Sequence, residues 1–423
     1  MGTNVNTPTT LRAAIIVALA AAGAVVAADK AGDKPAAPAA APIATVPGMP
    51  PVVNRNNLYS ETNGPSYIAA AVKGDLERVY VPNLRSNDVS VIDPVTLKVV
   101  DKFKVGKAPQ HVIPSWDLRT LWVANNAERT NIGSLTPIDP RTGKPGKEIS
   151  VDDPYNLYFT PDGKSAIVVA EAKHRLDFRD PQTMAMQYSI EAPKCGGINH
   201  ADFSIDGRYA LFTCEFEGSV AKIDLVERKV LGYLKLNMPS TRFKDVPPSD
   251  GPLASEICSS KKGMPQDIRI SPDGKRFYIA DMEADGVHIV DGDAFKEVGF
   301  ISTGLGAHGI YPSRDGKQFY VANRGTHSIH GRRKVRGSVT VVDFASEKVV
   351  AQWQIPGGGS PDMGNVSADG KALWLSGRFD DVVYRFDTTD GSVKQIKVGQ
   401  EPHGLVVWPQ PGRYSVGHTG NLR

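Results

Sequence analysis

The sequence predicts an all-β fold, a seven-bladed β-propeller built from four-stranded antiparallel blades. A strand-like run of the type VYVPN or FYVANR recurs at a spacing of roughly 40 residues, which is the length of one propeller blade. Because a single four-stranded sheet has bare edges, such copies are expected to pack on one another in a ring. The seven runs end in the polar residues Asn83, Asn126, Glu171, Glu215, Asp281, Arg324 and Arg378.

A second repeated feature supports this fold, because the strand-like run that follows each of these ends in an aspartate. A carboxylate at this position can accept hydrogen bonds from the backbone of the next turn. We therefore interpret these aspartates as turn caps and not as catalytic groups. They are Asp93, Asp139, Asp180, Asp224, Asp291, Asp343 and Asp387.

The ends of the repeat array predict how the ring closes. Residues 402–408 have the pattern of a first strand, but no third and fourth strands follow them. We expect this C-terminal strand to complete the first blade, whose other strands lie in residues 78–103, because the pairing removes the open edges. The alternative is an eight-bladed ring in which residues 52–59 complete a separate blade.

The chain divides into a leader, a linker and one domain. Residues 1–28 contain one cation, an apolar segment and then small residues, which is typical of a cleaved export signal; an uncleaved membrane anchor is the alternative. Residues 29–51 are rich in Ala and Pro, as in extended linkers. Residues 52–423 are the predicted propeller, with an insertion at residues 237–264. We expect a periplasmic or secreted monomer with no transmembrane span in the mature chain.

Composition limits the partners of this domain. The chain is 41% hydrophobic and 22% charged, and its formal net charge is only +3. Nucleic acid is excluded as an expected partner because the sequence has no large basic surplus. We expect a small molecule or a partner protein to bind at one face of the propeller.

Propeller geometry predicts where a functional site lies, because the first strand of every blade lines one central channel. The imidazoles and carboxylates at the starts of these strands should therefore converge, although turn lengths leave the register open by one residue. Neutral histidine binds copper, zinc and iron, and a carboxylate can complete the coordination or orient a ring. The predicted metal ligands are His111, His200, Asp267, His308, Asp362 and His403.

The competing interpretation of these histidines is structural, because the chain turns tightly at the same positions and an imidazole can hydrogen-bond a neighbouring blade. His174 and His418 are expected to be surface residues and are not in the predicted ligand set.

Three cysteines are expected on the channel face: Cys195, Cys214 and Cys258. In an exported protein they predict one disulfide, although spacing does not select the pairing. Our choice is Cys195 with Cys258, which would fasten the insertion to the fourth blade.

Short motifs throughout residues 76–410 resemble the YVTN family of β-propeller repeat proteins, together with the turns at residues 160–163 and 271–274. The resemblance implies a propeller, and relatives of that architecture include lactonases, a zinc chaperone and the copper propellers nitrous oxide reductase and thiocyanate dehydrogenase. The channel resembles theirs in layout but has fewer histidines, which argues against a multinuclear copper cluster. We expect a transition metal, with copper as the first candidate and zinc as the second. The motifs are Tyr80-Val81-Pro82-Asn83, Trp122-Val123-Ala124-Asn125 and Tyr320-Val321-Ala322-Asn323.

Two functions remain open from the sequence. In the first, the propeller binds a transition metal or a metal-bearing cofactor in the funnel and performs redox chemistry on a small molecule. In the second, it is a non-enzymatic scaffold that binds a partner protein, a glycan or a metal for delivery. Motifs for a serine hydrolase elbow or for covalent haem attachment do not occur.

Overall fold

The computed structural model describes residue 1 and residues 43–128, 132–239, 262–330, 336–418 and 421–423. The predicted leader therefore falls almost entirely outside the described residues, as does most of the predicted insertion. Within Ile43–Arg423, seven antiparallel sheets form a seven-bladed propeller, which confirms the predicted fold class.

Each blade is one sheet whose strands follow the chain outward from the channel, except that blade one takes its innermost strand from the C-terminal region. Blade one contains β1 (Arg78–Asn83), β2 (Asp88–Asp93), β3 (Lys98–Lys104) and β29 (Val406–Trp408). Blade two contains β4 (Pro109–Pro114), β5 (Leu121–Asn125), β6 (Gly133–Asp139), β7 (Lys144–Pro145) and β8 (Ile149–Val151). Blade three contains β9 (Pro154–Phe159), β10 (Ala166–Ala170), β11 (Arg175–Arg179) and β12 (Met186–Glu191).

The remaining four blades repeat the same four-stranded plan. Blade four contains β13 (Ile198–Phe203), β14 (Tyr209–Cys214), β15 (Ser219–Asp224) and β16 (Lys229–Lys235). Blade five contains β17 (Pro265–Ile270), β18 (Arg276–Asp281), β19 (Gly286–Asp291) and β20 (Lys296–Ser302). Blade six contains β21 (Ala307–Pro312), β22 (Gln318–Asn323), β23 (Ser338–Asp343) and β24 (Lys348–Gln354). Blade seven contains β25 (Pro361–Val366), β26 (Ala372–Gly377), β27 (Val382–Asp387) and β28 (Val393–Lys397).

Burial decreases from the channel outward, as the sequence pattern requires. The second strand β10 reads AIVVA and is buried at every position, because neighbouring blades cover both of its faces. The outermost strand β24 instead leaves Val349 and Val350 exposed. Apolar clusters fill the space between blades, and one of them packs Val79 of blade one against Trp374 of blade seven.

Closure of the ring follows the predicted pairing of the C-terminal strand with the first blade. β29 pairs antiparallel with β1, with Val407 opposite Val79. The backbone N–H of Val407 also donates to Asn365 Oδ1 of blade seven at 2.9 Å, which joins the two ends of the array. The eight-bladed alternative is wrong, because Leu58–Thr62 is a 3₁₀ helix.

Short 3₁₀ helices make up the helical content of the described residues: Leu58–Thr62, Pro65–Tyr67, Ala70–Val72 and Glu171–Lys173. In that part of the chain, no helix has both the length and the apolar character needed to cross a bilayer.

The seven strand-end aspartates cap turns, as predicted. Asp93, for example, accepts hydrogen bonds from the backbone of Val95 and Thr96, both at 2.9 Å. The other six accept equivalent bonds from the turns that follow them.

The predicted disulfide between Cys195 and Cys258 is wrong, because Cys195 bonds to Cys214. Cys214 is the last residue of β14 and pairs in register with Ile198 at the start of β13. Cys195 lies just before that start, so its Cα is only 4.7 Å from that of Cys214. Cys258 lies outside the described residues.

Candidate metal centre and funnel cavity

A cavity of about 290 Å³ opens at the mouth of the channel. Two sets of residues line it, and each set comes from equivalent positions of different blades. One set follows directly after the second strands: Asn126, Glu171, Glu215, Arg324 and Arg378. The other lies at the starts of first strands or just before β29: Gln110, Tyr155, Gln266, His308 and His403.

The repeat explains why the first set faces the cavity. The last residue of the second strand is an asparagine in blades one, two and six, and its amide bonds within the blade. Asn323 Nδ2, for example, donates to Ser338 Oγ at 3.1 Å and to Thr340 Oγ1 at 2.9 Å. The asparagine therefore holds the strand end, and the residue after it is left to line the cavity.

Three of the predicted ligands form one charge-balanced group around Asp362. His308 Nδ1 lies 2.8 Å from Asp362 Oδ1, and His403 Nδ1 lies 2.8 Å from Asp362 Oδ2. Arg324 Nη2 lies 2.7 Å from Asp362 Oδ1 and also contacts His308 Nε2. One buried carboxylate thus serves two imidazoles and a guanidinium.

Charges and burial determine the protonation of this Asp362 group. Burial by itself would raise the pKa of Asp362, but Arg324 and the two imidazoles outweigh it and hold that pKa well below its usual value. Burial lowers the pKa of His308 to about 4, with a further contribution from Arg324. Burial also lowers the pKa of His403 to about 3, assisted by Arg378. At neutral pH the carboxylate is charged and both imidazoles are neutral.

A second group of histidines adjoins the first and consists of His111, His200 and His418. Potential ligand atoms of the three lie within 4.8 Å of one another, and all three side chains are fully buried. The ring of His111 is 4.3 Å from that of His418 and 4.8 Å from that of His403, measured between centroids. We call these three residues the histidine triad.

The triad differs from the Asp362 group because, in the part of the chain that the structure describes, none of its imidazoles lies within 4.0 Å of a carboxylate oxygen. Among the described residues, neither ring nitrogen of His111 has a partner, and the same holds for Nε2 of His200 and Nε2 of His418. Asn156 Nδ2 lies 3.3 Å from His200 Nδ1 and 2.7 Å from His418 Nδ1, so this amide orients both rings. The hydroxyl of Tyr158 is also 3.2 Å from His418 Nδ1.

Burial also keeps the triad neutral. It lowers the pKa of His111 well below the usual value, and His403 and His200 lower it further. The pKa values of His200 and His418 are lowered in the same way, first by burial and then by neighbouring imidazoles. Neutral imidazoles with free ring nitrogens are the form in which histidine binds metals.

The six predicted ligands therefore separate into three environments. His308, Asp362 and His403 form one group, while His111 and His200 belong to the triad. Asp267 lies apart from both, because its Oδ1 pairs with Arg269 Nη1 at 2.8 Å and its Oδ2 accepts the backbone N–H of Ile310 at 3.0 Å. The Asp267 carboxylate thus ties blade five to blade six.

His418 was expected at the surface, and that expectation is wrong. Residues 412–418 run beneath blades two to four, where the backbone oxygen of Val416 accepts the N–H of Phe159. This path inserts His418 between His111 and His200. No repeat covers residues after 408, so the sequence pattern carried no signal for this position. His174 is partly buried, in a left-handed backbone conformation at the end of the 3₁₀ helix Glu171–Lys173.

A family comparison agrees with this architecture, since residues 33–180 and 253–411 match the YNCE-like β-propeller family. The chain belongs to the YNCE-like β-propeller family. The YVTN motifs thus led to the correct architecture, and the family shown is the YNCE-like one. A comparison with curated proteins found no match.

Solved structures similar to this YNCE-like propeller are diverse in function. Hydrazine synthase of Kuenenia stuttgartiensis is 18% identical, with a TM-score of 0.53 over 69% of this chain and 87% of the other. The dihydro-heme d1 dehydrogenase NirN is 14% identical, with a TM-score of 0.54 over 81% and 77%. A putative 6-phosphogluconolactonase of Bacteroides uniformis is 15% identical, with a TM-score of 0.58 over 78% and 99%. At these identities the likeness shows the fold alone.

Proposed function

We propose that this YNCE-like propeller is an exported metalloprotein that binds one transition metal ion through the histidine triad. Copper is the first candidate for this ion and zinc is the second. The observation that supports this is the set of buried, unpartnered ring nitrogens on His111, His200 and His418. A buried polar atom without a partner costs about 1–3 kcal/mol. A bound cation would remove that cost at several nitrogens together.

The chemistry of the triad fits such an ion. Imidazole is a ligand for copper and zinc, and three protein ligands leave one coordination position for a further molecule. Metal–nitrogen bonds are about 2.0–2.1 Å long, so the three ligand atoms, which lie within 4.8 Å of one another, would move closer together on binding. Full burial of the three side chains favours a bare ion over a metal-bearing cofactor.

The other predicted ligands have different roles in this proposal. His308, Asp362 and His403 form a charge-balanced wall between the triad and the cavity. His403 contacts both sides, because it lines the cavity and its ring neighbours His111. A small molecule bound in the cavity would then lie next to the metal site, and redox chemistry at copper is the reaction class that we propose for it.

Export is part of the same proposal. The N-terminal apolar segment and the disulfide between Cys195 and Cys214 both fit an oxidising compartment, the periplasm or the exterior. We propose that the protein acts there as a monomer.

Metal analysis tests the proposal. Protein purified without a histidine tag is loaded with copper or zinc, dialysed and measured for metal content. We expect about one ion per chain, and none in a variant that combines His111→Gln, His200→Gln and His418→Gln. A His174→Asn variant is the matched control, because it removes an imidazole outside the triad and Asn tolerates the left-handed conformation there.

Two further readouts separate metal binding from misfolding and from scaffold function. Copper at about 1,000 times its dissociation constant should add about 4 kcal/mol to the unfolding free energy of the wild type and nothing to that of the triple variant. A copper signal in electron paramagnetic resonance that disappears with ascorbate and returns in air supports redox chemistry. An ion that binds without redox cycling supports the delivery scaffold. Equal metal content in the wild type and the triple variant contradicts the site.

A further inference from the structure

The wall of the funnel cavity is divided by charge. Four carboxylates lie on the side of blades two to four, and two guanidinium groups lie on the side of blades six and seven. All six come from loops or strand ends at the channel mouth: Glu128, Asp153, Glu171, Glu215, Arg324 and Arg378. A cavity with opposite charges on opposite blades is suited to a ligand that itself carries both charges.

On the basic side, Arg378 is a buried cation without a direct ionic partner among the described residues. Its side chain is about 4% exposed, and its Nε has no partner among the described residues. Arg324 differs, because it forms an ion pair with Asp362 at 2.7 Å. The part of the chain that the structure describes contains no ion pair of Arg378 within 4.0 Å. A buried charge without a counterion is unfavourable, so Arg378 is positioned to receive an anion from a ligand.

On the acidic side, Glu215 is held in place and Glu171 lies close to it. Both carboxylate oxygens of Glu215 accept hydrogen bonds at 2.9 Å, from Asn199 Nδ2 and Gln266 Nε2. Burial raises the pKa of Glu171, and the charge of Glu215 raises it further. Neither glutamate forms an ion pair with a lysine or arginine among the described residues. The two carboxyl groups therefore line the cavity without a cationic partner in the described part of the chain.

We propose that the cavity binds a small zwitterion, whose carboxylate pairs with Arg378 and whose ammonium group pairs with Glu171 and Glu215. A ligand with only a negative charge would leave the acidic side unpaired, and an amine would leave Arg378 unpaired. The cavity volume of about 290 Å³ lies just below the range for small-molecule sites, about 300–1,000 Å³, and therefore suits a small ligand. The inference rests on the proposed function for the choice of cavity, but it does not require the metal.

Calorimetric titration with three matched sets of compounds tests this inference. The first set is the series of ω-amino acids from glycine to 6-aminohexanoate, which covers a range of charge separations. The second and third sets are the carboxylates and the amines of the same lengths. We expect at least one amino acid to bind about tenfold more tightly than both its carboxylate and its amine, a difference of about 1.4 kcal/mol.

Charge-neutral variants assign the two ends of the ligand. Arg378→Gln should weaken the amino acid about tenfold and leave the amine unaffected, whereas Glu215→Gln should weaken it while leaving the carboxylate unaffected. The exposed residues Arg119 and Glu77 supply the matched controls Arg119→Gln and Glu77→Gln. Arg378→Lys retains the charge and should bind with intermediate affinity, which keeps the test valid if Arg378→Gln does not fold.

The results that would overturn the inference are specific. They are equal affinity for an amino acid and its carboxylate, or no binding by any member of the series at millimolar concentration. Repeating the titration with the triple triad variant separates the two proposals. If that variant loses the metal and keeps the amino acid, the zwitterion site stands on its own. If the wild type holds a metal and binds no amino acid, only the zwitterion site fails.

Discussion

The two histidine groups beside the channel are alike in burial and differ in their contact with charged groups. In the Asp362 group, both imidazoles and Arg324 share one carboxylate. In the triad, four ring nitrogens are buried without a partner among the described residues. The comparison indicates that burial of a histidine says little about its role. The partners of its nitrogens distinguish a structural imidazole from one that is available to a ligand.

The largest effect that would sharpen this comparison is expected from Asp362→Asn. The substitution leaves Arg324 buried without its counterion, so we expect a loss of about 3–5 kcal/mol in the free energy of unfolding. Urea titration of metal-free protein measures it, and the exposed Glu148→Gln, which should change stability by less than about 0.5 kcal/mol, is the control. A loss below about 1 kcal/mol would show that Asp362 does not hold its group together.

A second prediction concerns pH and uses His288 as a counterexample. The pKa of folded His308 is about 4, below the ordinary value of 6.5, so the unfolded chain binds more protons between these values. Stability should therefore fall as the pH is lowered from 6.5 towards 4, by up to about 1.4 kcal/mol per pH unit for this group. His308→Gln should reduce that slope.

His288 should show the opposite dependence. Burial by itself would lower its pKa, but Asp281 and Glu297 outweigh it and raise the pKa to about 9. The stability that His288 contributes is thus fully present below pH 6.5 and is lost as the pH rises towards 9. Urea titrations across both windows test the pair, and an unchanged acid slope in His308→Gln would contradict the assignment.

The smallest effect is expected in the triad itself. In metal-free protein, His111→Leu removes two buried nitrogens that have no partner, so the free energy of unfolding should change by less than about 1 kcal/mol or increase. The same variant should lose its metal. A destabilisation comparable to that of Asp362→Asn would mean that His111 is structural, and the contrast between the two groups would not hold.

The fold could be predicted because the propeller repeats its local signals. The second-strand runs, the turn-capping aspartates and the unpaired strand pattern at residues 402–408 each appear in the sequence, and they determine the number of blades and the closure. The site could be predicted only in outline. The strand starts were correctly placed at the channel. The histidines at these starts nevertheless have different surroundings, because His403 lines the cavity, while His111 and His200 lie behind its wall.

Two features of the site had weaker signals or none. Glu171, Glu215 and Arg378 follow second strands that depart from the asparagine of the repeat, and that departure could have marked them as functional positions. His418 had no comparable mark, because residues 412–418 belong to no blade and their path depends on contacts with blades two to four. Asp267 is at a strand start that the pattern marks clearly, but its carboxylate bonds to a neighbouring blade. The sequence pattern does not show that contact.

The position of His418 links the triad to completion of the propeller. Only nine residues separate it from Trp408, the last residue of the strand that closes the ring. Until residues 412–418 have docked beneath blades two to four, His111 and His200 lie without the third member of the triad. Metal uptake would then report on completion of the fold, because the full set of three ligands exists only after the C-terminal segment has docked.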